Sequence, residues 1–205
     1  MTRNRSRIFL LSPANASGTR ANFLLREGAN FDLARRLREH GLPLGEAFAF
    51  MSGLYFRGKL AYSQAFAAPP AGISGSFVIT SGYGLVPPEA VVTIHQLQEL
   101  AAIPVDPAER RYREPLECAC RRLYAGAGPE CDFVLLGSVA TPKYLEPMGA
   151  IFGERLLFPA EFIGRGDMSR GSLMLRSASA RSELAYAPAP LTPAVVRLGH
   201  GPLPD

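Results

Sequence analysis

The chain has 205 residues, 47% hydrophobic and 20% charged, which is ordinary globular usage and excludes wholesale disorder. Its 20 Gly and 18 Pro follow no short period, which excludes collagen-like and low-complexity architecture. The net charge of +4 permits contact with a polyanion without requiring it.

Arg3, Arg5 and Arg7 make the start basic, but the apolar run at residues 8–11 falls short of the roughly 7–15 residues of a signal peptide. Nor does any stretch approach the ~20 apolar residues of a spanning helix, so no membrane partner and a cytoplasmic location are expected. Residues 7–12 (RIFLLS) read as a buried first strand and residues 13–20 as a polar loop at its carboxyl end. Residues 31–40 place Phe31, Leu33, Ala34 and Leu37 on one helical face, and Gly41 with Pro43 ends that helix. Residues 44–67 read as mostly helical with a break at Ser52 and Gly53. The second half carries Arg57, Lys59, Tyr55, Phe56, Tyr62 and Phe66.

Residues 76–80 (SFVIT) read as a second strand followed by the turn 81–84. A long Arg/Glu-rich helix is expected over 107–124, with its charges paired on a solvated face. A third strand is expected over 132–137, a helix over 143–152 and a fourth strand over 155–158. Residues 172–176 and 182–187 alternate like a hairpin. Strands alternating with helices imply an α/β three-layer sandwich with a mostly parallel central sheet and a C-terminal β-hairpin. One domain is expected over 1–187, with 188–205 a Pro-rich tail; a third reading is a partner-binding module in which that tail docks elsewhere. Ligands of such sheets bind beyond the carboxyl ends of the strands, which selects the loops 12–20, 81–85, 138–144 and 159–170.

Few residues in those loops fit a familiar catalytic motif. P-loop, dinucleotide-binding and nucleophile-elbow patterns are all absent. Cys118, Cys120 and Cys131 lack zinc-knuckle spacing and read as buried or half-buried thiols, and the three histidines have no ligand spacing. Neither a metal nor a cofactor is therefore expected. Of the 22 basic residues only Lys59 and Lys143 are lysine. In an arginine-biased chain they are candidates for sites that need a compact, titratable ammonium, although chance survival explains them equally well. The densest polar run holds Arg165, Asp167 and Arg170 among glycines. Two arginines could hold a phosphate there while Asp167 orients a water or a sugar hydroxyl; a solvated turn is the plainer account.

Several segments, taken in order, resemble the YaaA peroxide-stress proteins. They are Leu10-Leu11-Ser12-Pro13-Ala14, Tyr55 with Gly58, the turn Ile79-Thr80-Ser81-Gly82-Tyr83-Gly84-Leu85, Leu136-Gly137-Ser138 followed by Lys143-Tyr144, and Phe158-Pro159 with Phe162. The order holds across residues 8–170. The resemblance implies a fold akin to uracil-DNA glycosylases, association with DNA and a protective role in oxidative stress. It extends equally to domains attached to transglycosylases that modify guanine in nucleic acid. This chain departs from the family at its C-terminal end, with Arg165, Arg170 and Arg176 where those proteins are lysine-rich.

The leading expectation is a protein that binds nucleic acid, a nucleotide or a nucleobase at the sheet's carboxyl edge. Tyr83 would stack on a base, Arg165 and Arg170 would hold phosphate, and the loop of Ser12, Pro13 and Asn15 would read the ligand. Tyr55, Arg57, Lys59, Ser81, Gly82, Ser138 and Tyr144 complete the expected binding set. The alternative is an enzyme that hydrolyses or exchanges an N-glycosidic bond, with Asp167 and Lys143 as its catalytic groups. The sequence does not disclose the oligomeric state.

Overall fold

A computed structural model describes residues 5–190. The chain opens with strand β1 (Ser6–Leu11), a short helix α1 (Thr19–Leu25), α2 (Asp32–His40) and the two-residue strand β2 (Leu42–Pro43). Helices α3 (Leu44–Ser52) and α4 (Leu54–Phe66) follow, broken at Gly53 as the sequence implied. Next come β3 (Ser76–Thr80), β4 (Gly84–Val86), β5 (Val91–Val92), α5 (Ile94–Ala102) and α6 (Arg110–Ala127). The chain continues through β6 (Cys131–Leu136), α7 (Pro142–Phe152), β7 (Leu156–Pro159), α8 (Asp167–Ala180) and β8 (Tyr186–Pro188).

The six-stranded sheet runs β4-β3-β1-β6-β7-β8. Its inner strands β3, β1, β6 and β7 are parallel, and both edges are antiparallel. Every residue of β1 from Ile8 to Leu11 is buried, as expected of a parallel strand covered on both faces. Alternation sorts these side chains. Phe9 and Leu11, with Val134 and Leu136 of β6, join the core beneath α1 to α5 and α8. Ile8 and Leu10, with Phe133 and Leu135, join the core beneath α6 and α7. The fold is thus mixed α/β with a mostly parallel central sheet flanked by helices, and β7 with β8 forms its C-terminal strand pair.

Several local expectations are corrected. Residues 172–176, expected as a strand, lie in α8. Arg170, Gly171, Met174 and Ser177 are its buried residues, a helical spacing that the apolar run Leu173-Met174-Leu175 obscures. The second expected strand shortens to β8 and includes Pro188, assigned in advance to the tail; residues 191–205 lie outside the described residues. Cys120 and Cys131 are buried, but Cys118 is exposed because it faces away from the sheet on α6. The charge pairing on α6 is as expected, with Arg110–Glu114, Arg113–Glu117 and Arg121–Glu117 contacts of 2.7, 2.7 and 2.8 Å. Among the described residues, no helix is long and apolar enough to cross a membrane.

One packing detail positions everything that follows. Helices α4 and α8 touch through Gly58 and Gly171, backbone against backbone. A Cβ on Gly58 would stand 2.7 Å from the Gly171 carbonyl oxygen, and one on Gly171 would stand 2.9 Å from that of Leu54. This contact brings Tyr55 and Lys59 on α4 beside Asp167 and Arg170 on α8.

Candidate functional site

A cavity of about 800 Å³ opens where β1, β3 and β6 end, within the size range of small-ligand pockets. Ser12, Pro13 and Asn15 enter it from the end of β1, Ser81 from β3 and Ser138 from β6. Tyr55 comes from α4, Lys143 and Tyr144 from α7, and Asp167 from the first position of α8. The structure therefore brings nine of the sequence-derived site residues around one space. Its lining mixes serine and tyrosine hydroxyls with an apolar wall.

Local hydrogen bonds fix most of these groups. The Ser81 hydroxyl donates to the Leu100 carbonyl at 2.7 Å, tying β3 to α5. Asn15 Oδ1 accepts from the Ser17 backbone N–H at 3.1 Å and from its hydroxyl at 2.9 Å, which folds the first loop back on itself. Ser138 Oγ accepts from the Ala140 N–H at 3.3 Å. The Tyr112 hydroxyl donates to the Lys143 carbonyl at 2.7 Å and so anchors the start of α7 from α6. Gly137 lets β6 pass close to Ser12, because a Cβ there would lie 2.9 Å from the Ser12 Cβ.

Lys59 lies beneath this lining, only 1% exposed. Its Nζ stands 2.7 Å from Ser12 Oγ and 2.9 Å from the Ser12 carbonyl oxygen, with the Tyr55 ring centroid 3.9 Å away. Burial pushes its pKa down to about 7; Asp167 favours the charged form and Arg170 opposes it. Burial also raises the pKa of Tyr55, against the opposing pull of Arg170. Its hydroxyl is buried without a hydrogen-bond partner, although Arg170 and Ser12 are close enough to favour its ionised form. Burial, reinforced by Tyr55, pushes Tyr144 up to about 12.

The remaining predicted residues lie elsewhere. Arg57 is exposed on α4, outside the cavity. Gly82 and Tyr83 border a separate shallow hollow with Glu99 and Arg111, where the Tyr83 hydroxyl donates to Glu99. Burial and that carboxylate push Tyr83 up to about 12. Arg165 is exposed and held by the Glu161 carbonyl at 2.8 Å and the Ser169 hydroxyl at 3.1 Å. Arg170 is buried; its Nε and Nη2 donate to the Phe162 carbonyl at 3.2 and 3.1 Å, and Nη1 sits 3.6 Å from Asp167. Neither arginine lines the cavity, so the two do not form a joint phosphate grip there.

Sequence reasoning missed the wall formed by Leu100, Ile103, Pro104, Val105 and Asp106. Leu100 lies in the last turn of α5 and the others follow that helix, and the rule of strand carboxyl ends carries no signal for them. Among the described residues, no cluster of His, Cys, Asp or Glu could hold a metal ion. Comparison with known protein families, with curated proteins and with solved structures finds no match.

Proposed function

We propose that this chain binds a nucleobase-bearing ligand, a nucleoside or nucleotide, either free or exposed from a nucleic acid, in the cavity at the sheet's carboxyl edge. The observation that carries this reading is the cavity itself. Serine hydroxyls, an asparagine amide and two tyrosines converge on a space of about 800 Å³ at the strand ends. Such groups suit the hydrogen-bonding edges of a base and the hydroxyls of a sugar. The segments that resemble YaaA proteins point the same way, since Ser12, Tyr55, Ser81, Ser138 and Tyr144 belong to them and line the cavity. Extended backbone binding by Arg165 and Arg170 receives less support, since both guanidinium groups are already engaged by this chain.

One observation favours an enzymatic version. The Asp167 side chain is 69% exposed and faces the cavity, where a carboxylate could position water or stabilise a cationic sugar during cleavage of an N-glycosidic bond. Asp167→Asn separates the two versions. A binding protein keeps its affinity for nucleosides in calorimetric titration, whereas an enzyme keeps affinity and loses release of free base. Absence of nucleoside and nucleotide binding in the wild-type protein would overturn both.

A further inference from the structure

Beneath the cavity lining, Lys59 pairs with Ser12 in a way that nucleoside binding does not require. Lys59 is fully buried and, among the described residues, forms no ion pair. Its contacts instead converge on Ser12, at 2.7 Å to Oγ and 2.9 Å to the carbonyl oxygen. Burial of an amine with no carboxylate in contact favours its neutral form even with Asp167 nearby, and the low pKa of Lys59 agrees. A neutral amine has two N–H donors and one lone pair. One donor satisfies the Ser12 carbonyl, and the lone pair is left to accept the Ser12 O–H. In the protonated form Nζ donates to both oxygens, and the Ser12 hydroxyl turns to the Leu136 carbonyl at 3.2 Å.

An amine that takes the proton of an adjoining serine is a recurrent way of making that oxygen nucleophilic. Ser12 also lines the cavity, so a ligand seated there lies against it. The Tyr55 hydroxyl stands close by, buried and unpartnered, with its pKa raised so that it stays a donor.

We propose that Ser12 is a nucleophile with Lys59 as its general base, giving the cavity an acyl-transfer activity toward an ester or amide group of its ligand. Ser12 Oγ forms a bond to the acyl carbon as its proton passes to Nζ. The bond from that carbon to the leaving oxygen or nitrogen then breaks, and Nζ returns the proton to the departing alcohol or amine. Water completes the cycle: its oxygen attacks the acyl carbon, its proton passes through Nζ to Ser12, and a carboxylic acid is released. This inference goes beyond the proposed function and does not depend on the ligand's being a nucleoside.

The test uses a small alkyl fluorophosphonate, in which attack by a serine oxygen expels fluoride. It also uses p-nitrophenyl acetate as a simple acyl donor. In the full chain the phosphonyl group should be found on the peptide that holds Ser12, and Ser12→Ala should remain unlabelled. The labelling rate should rise with pH through a midpoint near the Lys59 pKa of about 7. That profile reports on the surroundings of Lys59 together: Asp167 and Arg170 from α8, Tyr55 from its own helix and Tyr144 from α7. Lys59→Met should slow labelling and the p-nitrophenol burst by about 100-fold or more. The pH profile needs no change at a buried position, so it stands even if that variant fails to fold. Folded wild-type protein that leaves Ser12 unlabelled, or labels it at a rate flat between about pH 6 and 8, overturns the proposal. So does a folded Lys59→Met that reacts at the wild-type rate.

Discussion

Replacing Lys59 with Met should stabilise the protein near neutral pH, although it deletes two polar contacts. Burial lowers the Lys59 pKa from 10.5 to about 7. That interval corresponds to about 5 kcal/mol at about 1.36 kcal/mol per pH unit. Between the two values the unfolded chain holds a proton that the folded chain has released, so this group makes stability rise with pH. Below about 7 both states are protonated and the penalty is at its maximum; above 10.5 it has gone. Methionine has similar length and no charge to bury. It leaves the Ser12 carbonyl without its Nζ donor, which costs about 1–3 kcal/mol, so the net gain near neutrality is about 2–4 kcal/mol. Urea denaturation of both proteins, repeated at several pH values from about 7 to 10, measures this. Burial also raises Cys120 to about 12 and Cys131 to about 11, which lowers stability above the ordinary thiol range. That effect is common to both proteins and cancels in their difference. A variant less stable than the wild type at neutral pH, or a difference that stays flat as pH rises, would refute the reasoning.

Other consequences follow from the same contacts. Gly58→Ala should destabilise the fold by about 1–3 kcal/mol or more, because its Cβ meets the Gly171 backbone, which cannot rotate away as a side chain would; a wild-type urea midpoint would contradict this. Arg170→Ala should cost about 1–3 kcal/mol by removing the buried donors to the Phe162 carbonyl, whereas Arg165→Ala should stay within about 0.5 kcal/mol. Equal effects in the two urea titrations would argue against the assigned burial. A thiol reagent should modify Cys118 in the native protein and reach Cys120 and Cys131 only after unfolding; rapid loss of all three thiols would contradict the placement of α6 against the sheet. Glu99→Gln should lower the Tyr83 pKa from about 12 toward its ordinary value, read by ultraviolet titration of the phenol.

The sheet was legible because its inner strands are short, continuously apolar and bounded by Gly, Pro or Ser, a pattern that parallel burial imposes. The rule placing ligands at strand carboxyl ends selected the loops of Ser12, Ser81 and Ser138, which the structure brings to one cavity. The arginine bias singled out Lys59, but nothing in the sequence distinguishes a lysine lining a cavity from one buried beneath it. That difference depends on how far α4 sinks toward β1, which is set by the Gly58–Gly171 contact with a helix that local alternation disguised as a strand. Tyr83 and the arginines of residues 165–170 failed to join the site for a related reason. Their loops were correctly placed, but side-chain direction within a loop depends on partners such as Glu99 and the Phe162 carbonyl, which no spacing rule foresees.

The most direct test of the cavity's role is a thermal-shift comparison of nucleosides, nucleotides and short single- and double-stranded DNA at low and high salt. A ligand that binds only the folded state raises the melting temperature, and one held by hydroxyls does so without steep salt dependence. The account predicts stabilisation by a nucleoside or nucleotide that persists at high salt and disappears when Ser81→Tyr fills the cavity, while Arg165→Ala leaves it intact. Stabilisation by DNA alone, erased by salt or by Arg165→Ala, would move the binding surface to the exposed arginines and contradict it.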